Sequence, residues 1–179
     1  MTPVGYTVAA CERGDGPCVA HVRFEAPDGS TVTAPASCGR GTVGLLAAGV
    51  HPVAAQTEAL AAMLQAHVVG VDVALVGPKG CGKSAVVRSF AALLGYRTTL
   101  FGLHADMSAR DLVQRRSTDD AGNTLWECSP VVSAALGGHV LVLDGIDRIA
   151  GDTLAVLQRL CHDRELDMCV CRCWSDFAS

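Results

Sequence analysis

The sequence lacks the features of three common classes of protein. No uninterrupted apolar run approaches the roughly 18 residues that a membrane-spanning helix needs, although the mean hydropathy is positive. No block of Lys or Arg is present, and the formal net charge is −4. That disfavours a nucleic-acid scaffold, because DNA and RNA are bound mainly through their phosphates. Residues 1–15 contain Glu12 and Asp15, with no apolar stretch typical of a secretory signal and too much acid for a mitochondrial transit peptide. We therefore expect a soluble protein with no membrane span and no nucleic-acid partner.

Paired cysteine motifs are also absent. The chain has nine cysteines, and none of them forms a CxxC pair. Without a secretory signal, reduced thiols are expected rather than disulfides. Cys169, Cys171 and Cys173 form a CxCxC run, but it has no His or Cys partners at zinc spacing, so a metal site there is disfavoured.

The first 70 residues predict a small hairpin followed by a helix. Val19–Phe24 alternates apolar and polar residues, Asp28-Gly29 offers a turn, and Thr31–Thr33 is β-prone. The rest of residues 1–40 has an irregular pattern, and Pro35 to Gly44 is interpreted as a linker. Apolar positions between Pro52 and Val69 recur at helical spacing.

The remaining sequence alternates predicted strands and helices, which is typical of an α/β fold with a parallel sheet. The predicted strands are Val71–Val76, Arg97–Leu103 and Val140–Leu143, all short apolar or β-prone runs. The predicted helices are Ala85–Leu94, a short one opened by a Ser108/Asp111 capping box, one from Ser129-Pro130 to Gly137-Gly138, and a last one capped by Asp152. Gln114 to Trp126 is expected to form a second hairpin.

The most specific motif is a complete phosphate-binding loop. The residues Gly77-Pro78-Lys79-Gly80-Cys81-Gly82-Lys83-Ser84 match the pattern G-x-x-x-x-G-K-[ST] between a predicted strand and a predicted helix. Gly77, Gly80 and Gly82 permit the backbone angles that turn N–H groups inward around phosphate oxygens. The helix adds the positive end of its dipole. Lys83 would reach the β- and γ-phosphates, and the Ser84 hydroxyl would ligate Mg²⁺. The loop therefore predicts binding of ATP or another purine nucleoside triphosphate.

A second candidate residue follows the last predicted strand. A Mg²⁺-nucleotide site of this kind needs a carboxylate at the end of a neighbouring strand, and Asp144 stands directly after Val140–Leu143. The position after it, where ATPases of this layout place a water-orienting Glu, is Gly145. Asp147 is a substitute candidate for the catalytic base, although a solvated Asp paired with Arg148 is the simpler interpretation. The residues therefore predict binding more firmly than turnover.

These motifs resemble a known family. From Val71 to Leu166 the chain is similar to the AAA+ ATPases of the MoxR, midasin and dynein-related clade. The resemblance is carried by GPKGCGKS, ARDLVQRRSTDDAGNTLWECSPVVSAALGGHVLVLDGIDR and TLAVLQRLCHDREL. It implies a P-loop NTPase fold, a three-layer sandwich with a parallel sheet, in which Lys83 and Ser84 hold phosphate and Mg²⁺ and Asp144 supports the metal. The resemblance also implies that the chain acts with other AAA+ modules in a ring or a multi-module chain, and that it is mitochondrial. Without the resemblance, the cytoplasm is expected.

The chain also departs from the family pattern. The family's core sheet has five strands with the fourth between the first and the third, whereas only three are predicted here. The sensor residue, the arginine finger and the helical lid have no counterpart. We therefore expect a fragment or an incomplete gene product, in which the P-loop strand and the Asp144 strand each keep an unpaired edge. The expected domains are a β-rich N-terminal segment with linker (1–50), a partial ATPase core (51–167) and a Cys-rich tail (168–179).

Three functions remain open at this point. The first is a Mg²⁺-dependent ATPase module of a larger remodelling protein. The second is a nucleotide-binding structural module that hydrolyses slowly or not at all, which Gly145 favours. The third is a small P-loop kinase, which would need an Arg-rich lid over the nucleotide.

Overall fold

The fold was analysed in a computed structural model, which describes residues 6–44, 53–118 and 122–165. Contacts within the chain divide it into an N-terminal unit, Met1–Arg97, and a C-terminal unit, Thr98–Ser179. The expected boundary between residues 50 and 51 and the expected tail 168–179 both lie outside the described residues. The three expected domain ranges therefore stay predictions.

The N-terminal unit opens with a three-stranded antiparallel sheet. Its strands are β1 (Thr7–Arg13), β2 (Val19–Glu25) and β3 (Thr31–Ser37), in the order β1-β2-β3. Alternation along β2 buries Ala20, Val22 and Phe24 on one face. The predicted β2–β3 hairpin is confirmed. Strand β1 was not predicted, because its small residues do not alternate clearly, and β3 continues into the stretch interpreted as a linker.

Two helices pack beside this sheet and run side by side. Helix α1 (Ala54–Val68) contacts β1, β3 and helix α2 (Lys83–Leu93). Near the start of α1, the side chain of Gln56 lies against Gly82, immediately before α2. Near its end, the His67 ring meets the Phe90 ring edge-on, with centroids 5.3 Å apart. The two helices therefore point in the same direction, and both predicted helices are confirmed.

The segment between these helices corrects one prediction. Residues 71–76 were expected to form a buried strand, but they have no regular secondary structure. Val71, Val73 and Val76 are 58%, 43% and 96% exposed. A strand needs a partner for its backbone groups, and residues 71–76 pair with no strand in the described part of the chain. Within the described residues this stretch has no strand partner, as expected. The prediction of a buried strand is wrong.

The C-terminal end of α2 is held by a glycine segment that follows β3. The N–H groups of Gly39, Gly41 and Gly44 donate to the carbonyls of Leu94, Gly95 and Leu93, each at 2.9 Å. These bonds satisfy carbonyls that a helix end otherwise leaves unpaired. A Cβ on Gly39 would collide with the Gly95 carbonyl oxygen, so this approach requires glycine. The Cys11 thiol also donates to the Leu93 carbonyl at 3.4 Å, and burial raises its pKa to about 11.

The C-terminal unit contains one parallel strand pair and one hairpin. Its elements are β4 (Thr98–Gly102), α3 (Ala109–Val113), β5 (Gln114–Thr118), β6 (Thr124–Cys128), α4 (Pro130–Gly137), β7 (Val140–Asp144), a 3₁₀ turn (Ile146–Arg148) and α5 (Gly151–His162). Strand β7 pairs in parallel with β4, from Thr98↔Val140 to Gly102↔Asp144, while β5 and β6 pair in antiparallel orientation.

The core of this unit gathers around one face of the strand pair. Leu103, Leu112, Val131, Ile149 and Leu157 are buried together, and partly buried residues from β4, β7 and α5 pack against them. The Ser108/Asp111 capping box and the Ser129 N-cap with Pro130 behind it are confirmed.

Two further predictions for this unit need correction. The last helix is capped by Ala150, and Asp152 lies in its first turn. A carboxylate there still favours the helix dipole. Cys128 is disulfide-bonded, contrary to the expectation of reduced thiols, whereas Cys11, Cys18, Cys38 and Cys81 are free thiols.

Candidate nucleotide-binding site

The loop Gly77–Ser84 leads into α2; Gly82 and Lys83 are half-buried, and its other residues are exposed. Gly80 and Gly82 have φ of 86° and 94°, a region that L-residues with a side chain rarely adopt. Gly77 does not have a positive φ, so only two of the three glycines are needed for their backbone angles. A Cβ on Gly80 would meet nothing within 4 Å. The loop is therefore shaped by glycine conformation and is open on the side of Gly80.

Lys83 lies folded back over this loop. Its ammonium donates to the carbonyl oxygens of Gly77 and Pro78, both at 2.8 Å, and contacts the Cys81 sulfur at 3.8 Å. These partners are neutral, so an anion placed in the loop would compete for the ammonium with the advantage of a full negative charge.

The start of α2 presents several donors that have no partner. Within the described residues, the backbone N–H groups of Gly80, Gly82, Lys83 and Ser84 donate to no backbone carbonyl. The N-cap Gly82 supplies no side-chain cap, and the first turn contains no acidic residue. The positive end of the helix dipole is thus left without a counter-charge from the first turn. This arrangement is the one that phosphate oxygens satisfy.

Ser84 also fits the role expected of it. Its side chain is exposed in the first turn of α2, and no hydrogen bond to its hydroxyl is found among the described residues. Mg²⁺ prefers hard oxygen ligands and is usually held by one or two protein groups together with phosphates and water. A serine hydroxyl beside an anion cradle is a suitable donor of this kind.

The second set of candidate residues lies at the end of β7. Asp144 is exposed there, and its carbonyl accepts a hydrogen bond from the Leu103 N–H at 2.8 Å. Its carboxylate is another hard oxygen donor that Mg²⁺ accepts. Asp147 is exposed in the 3₁₀ turn.

Gly145 explains why a side chain is missing beside Asp144. Its φ is 83°, and a Cβ there would lie 3.1 Å from the Leu103 carbonyl oxygen and 3.2 Å from the Arg148 Cδ. A glutamate at this position would need a left-handed backbone and would crowd its neighbours. The absence of the water-orienting Glu is therefore accompanied by a backbone conformation that suits glycine.

The structure brings together only part of the predicted site. All eight loop residues, Gly77 to Ser84, lie in the N-terminal unit, whereas Asp144 and Asp147 lie in the C-terminal unit. Their roles as ligands and catalyst stay predictions.

One polar side chain at the loop was missed. Gln56, on α1, lies directly against Gly82, and it belongs to no motif that would have singled it out.

An open cleft of about 530 Å³ lies within the C-terminal unit. It is lined by the apolar side chains of Phe101 and Met107 and by Asp106, Asp111 and Glu127, with Arg115 and His104. Three carboxylates against one fixed positive charge would repel a triphosphate. The cleft is therefore not a second nucleotide site of the same kind.

Comparison with known proteins finds one family whose match spans both the loop and Asp144 in the sequence. The family described as AAA domain (dynein-related subfamily) matches residues 72–172, which is more than half of the chain and includes both. The chain belongs to this AAA family. Membership implies the P-loop fold and ATP binding, usually with Mg²⁺, and members of the family act as oligomers.

Several curated relatives share this region. The chain is 53% identical over 111 residues to von Willebrand factor A domain-containing protein 8 of Mus musculus, covering 62% of the chain and 6% of that protein. It is 35% identical over 96 residues to Protein NorQ of Paracoccus denitrificans, covering 54% of the chain and 35% of that protein. It is also 35% identical over 96 residues to Protein CbbQ of Hydrogenophilus thermoluteolus, covering 54% of the chain and 36% of that protein.

The AAA module is thus only a part of each of these relatives. The chain spans about a third of the length of the bacterial proteins and a small fraction of the mouse protein. No helix among residues 6–44, 53–118 and 122–165 has the length and apolar character needed to cross a membrane.

Proposed function

We propose that this AAA module binds Mg²⁺-ATP at the loop Gly77–Ser84 and hydrolyses it to ADP and phosphate as part of a larger remodelling ATPase. The observation that carries the proposal is the group of unpaired N–H donors at the start of α2, with Lys83 folded over them. Family membership supplies independent support for ATP binding.

Binding would proceed by exchange of partners. The N–H groups of Gly80, Gly82, Lys83 and Ser84 would donate to phosphate oxygens, which replaces water by fixed donors at a helix N-terminus. The Lys83 ammonium would leave the Gly77 and Pro78 carbonyls for the β- and γ-phosphates. Hydrogen bonds between charged groups are stronger than those to neutral carbonyls, so the exchange favours the bound state.

The metal would be held by Ser84 and supported by Asp144. When bound, Mg²⁺ neutralises charge that develops on the β- and γ-phosphates during transfer. In this proposal Ser84 supplies a hydroxyl oxygen and Asp144 a carboxylate from the end of β7.

Hydrolysis needs a group that orients the attacking water. We assign this role to Asp147. ATPases of this layout place a water-orienting Glu directly after the metal-supporting Asp, but here that position is Gly145, which has no side chain, and Asp147 is the next acidic residue along the chain. The water would lose its proton to the Asp147 carboxylate as its oxygen attacks the γ-phosphorus and ADP departs. Asp147 is exposed in the 3₁₀ turn, so its carboxylate is available to accept a proton.

A second candidate function is a nucleotide-binding module that does not hydrolyse ATP. Its specific support is Gly145, whose φ of 83° and crowded surroundings suit glycine and disfavour a glutamate. In this alternative, nucleotide binding would stabilise the module within its assembly. We also propose that the module acts in a ring or multi-module assembly that remodels a substrate, and that it is located in mitochondria.

Binding is tested by titrating the chain with Mg²⁺-ATP by calorimetry and following its thermal unfolding. ATP at about 100 times its Kd should stabilise the fold by about 2.7 kcal/mol. Lys83→Ala should weaken binding by roughly tenfold to a hundredfold, since it removes charged hydrogen bonds worth about 1.5–3 kcal/mol. Arg88→Ala, which removes an exposed cation on α2 outside the loop, is the matched control and should change affinity less than threefold. No binding by the unaltered chain would refute the proposal.

Turnover is tested separately by measuring release of free phosphate from ATP without any acceptor. Release that falls at least tenfold in Asp147→Asn while ATP binding is retained supports hydrolysis with Asp147 as the base. Tight binding without release would select the non-hydrolysing module. Phosphate transfer only when an acceptor is added would instead indicate a kinase.

A further inference from the structure

We propose that Gln56 on α1 is a further nucleotide-binding residue, whose side-chain amide donates a hydrogen bond to the phosphate chain. The inference rests on the proposed function, because it adds a ligand to the same site. Gln56 lies outside the loop motif, 21 positions before Gly77 in the sequence.

The first observation is where the Gln56 side chain lies. A Cβ built on Gly82 would collide with the Gln56 Nε2 and would lie 3.2 Å from its Cδ. The amide end of the side chain therefore sits directly against the Cα of Gly82. Gly82 is the residue that precedes α2, and its N–H and those of the next two residues are three of the four loop donors that have no backbone partner within the described residues.

The second observation is that the Gln56 amide has no partner of its own. Among the described residues, no hydrogen bond to its side chain is found, although the side chain is half-buried. A glutamine amide carries two N–H donors and one acceptor, and leaving them unpaired in a partly buried place costs free energy. A ligand at the loop would provide the missing partner.

The third observation is that the charges near Gln56 favour an anion. The first turn of α2 contains no acidic residue, and the Lys83 ammonium is nearby in the same loop. A neutral amide beside these donors adds a hydrogen bond without adding repulsion between cations. This combination favours an anionic ligand, and the phosphates of a nucleoside triphosphate are the anions that the loop itself selects.

The position of Gln56 also explains why residue 82 is a glycine. With Gln56 in this place, any side chain on Gly82 would displace the amide. Helix α1 then contributes at both ends: Gln56 meets the start of α2, and His67 meets Phe90 near its end. These contacts between α1 and α2 position the Gln56 amide beside the loop.

The test measures affinity for Mg²⁺-ATP in the whole chain carrying Gln56→Ala or Gln56→Met. Met keeps a side chain of similar length against Gly82 and removes only the amide, so it guards against loss of packing. Both variants should weaken binding about tenfold, the effect of one hydrogen bond to a charged group. Without ligand, the unfolding midpoint of Gln56→Met should not fall below that of the unaltered chain, because this variant keeps the contact with Gly82 and removes an amide that has no partner among the described residues. Gln56→Glu should weaken binding further, since its carboxylate would face the phosphates. Gln65→Ala, on the same helix and equally half-buried, is the matched control and should bind as the unaltered chain does.

Inorganic tripolyphosphate is the second probe, because it carries the phosphates alone. Equal weakening for tripolyphosphate and ATP supports the phosphate contact, whereas weakening for ATP only would overturn it in favour of the sugar or base. If Lys83→Ala loses binding and Gln56→Met does not, this inference fails and the proposed function stands. If the unaltered chain binds neither probe, the proposed function fails first.

Discussion

Two short apolar stretches in this chain have similar sequences and different structures. Residues 71–76 precede the phosphate-binding loop, and Val140–Asp144 precedes Gly145. Both are rich in Val and Leu, and both were predicted to be buried strands. Only the second is one: β7 pairs with β4 over its whole length, while residues 71–76 have no regular secondary structure and expose Val76 almost fully.

The difference shows that β-propensity is a preference for a paired and covered environment. Strand β7 gains hydrogen bonds from β4, and its Leu141 and Leu143 pack against the core that contains Leu103. The same residue types in 71–76 gain neither within the described residues, so their propensity alone does not make a strand.

The largest effect on the free energy of unfolding is expected when one side chain from each stretch is replaced by alanine and the two losses are compared. Leu143→Ala removes a partly buried side chain that packs against the core and should lower the free energy of unfolding by about 2 kcal/mol. Val76→Ala removes a side chain that is 96% exposed and should change it by less than about 0.5 kcal/mol. Urea denaturation followed by circular dichroism measures both. Equal losses would mean that residues 71–76 are packed after all.

The next effect compares the glycines that follow the two stretches. Gly145→Ala places a Cβ at a φ of 83° and close to the Leu103 carbonyl, which should destabilise the fold by about 1–2 kcal/mol. Gly77→Ala does not require a positive φ, and its Cβ would meet only the flexible Cys81 side chain, so its cost should stay below about 0.5 kcal/mol. The same denaturation measurement applies. A neutral Gly145→Ala would contradict the left-handed turn after β7.

The smallest effect concerns the capping box at the start of α3, in the same unit as β7. The Ser108 side chain and N–H both bond to the Asp111 carboxylate, at 2.6 and 2.9 Å, and these bonds lower the pKa of Asp111. Ser108→Ala should cost about 1 kcal/mol at neutral pH. The bonds stabilise the charged carboxylate, so their contribution is present above the unfolded pKa of about 3.9 and is lost as the pH falls through the lower folded value.

The measurement is the difference in unfolding free energy between Ser108→Ala and the unaltered chain at pH 7 and in steps of pH below 4. The difference should shrink as the pH falls. Thr57→Ala serves as a control, because its hydroxyl bonds only to the Val53 carbonyl and involves no titrating group. A difference for Ser108→Ala that does not change with pH would contradict the capping box.

Local signals explain how much of the structure could be predicted from sequence. The Ser108 and Ser129 caps and the Asp28-Gly29 turn depend on neighbours in the chain, and the elements they predict are present. Of the two elements expected beside the loop Gly77–Ser84, the helix that follows it is present. Strand β1 was not predicted although its partner β2 is the next strand in the sequence, because its small residues do not alternate clearly. Residues 71–76 were wrongly predicted to be a buried strand, because no strand pairs with them in the described part of the chain. Gln56 could not be found at all, because its contact with Gly82 arises only when α1 and α2 pack side by side.

The central claim is that the loop's own amides are the ligands of the nucleotide. Hydrogen exchange of the chain, with and without saturating Mg²⁺-ATP, tests it at the residues concerned. We expect amides of residues 80–84 to exchange rapidly without nucleotide and to become protected with it, while Lys83→Ala shows no such change. Slow exchange in β7 and fast exchange at residues 73–76 should accompany this in the free chain. Unchanged exchange at residues 80–84 in saturating Mg²⁺-ATP would contradict the account.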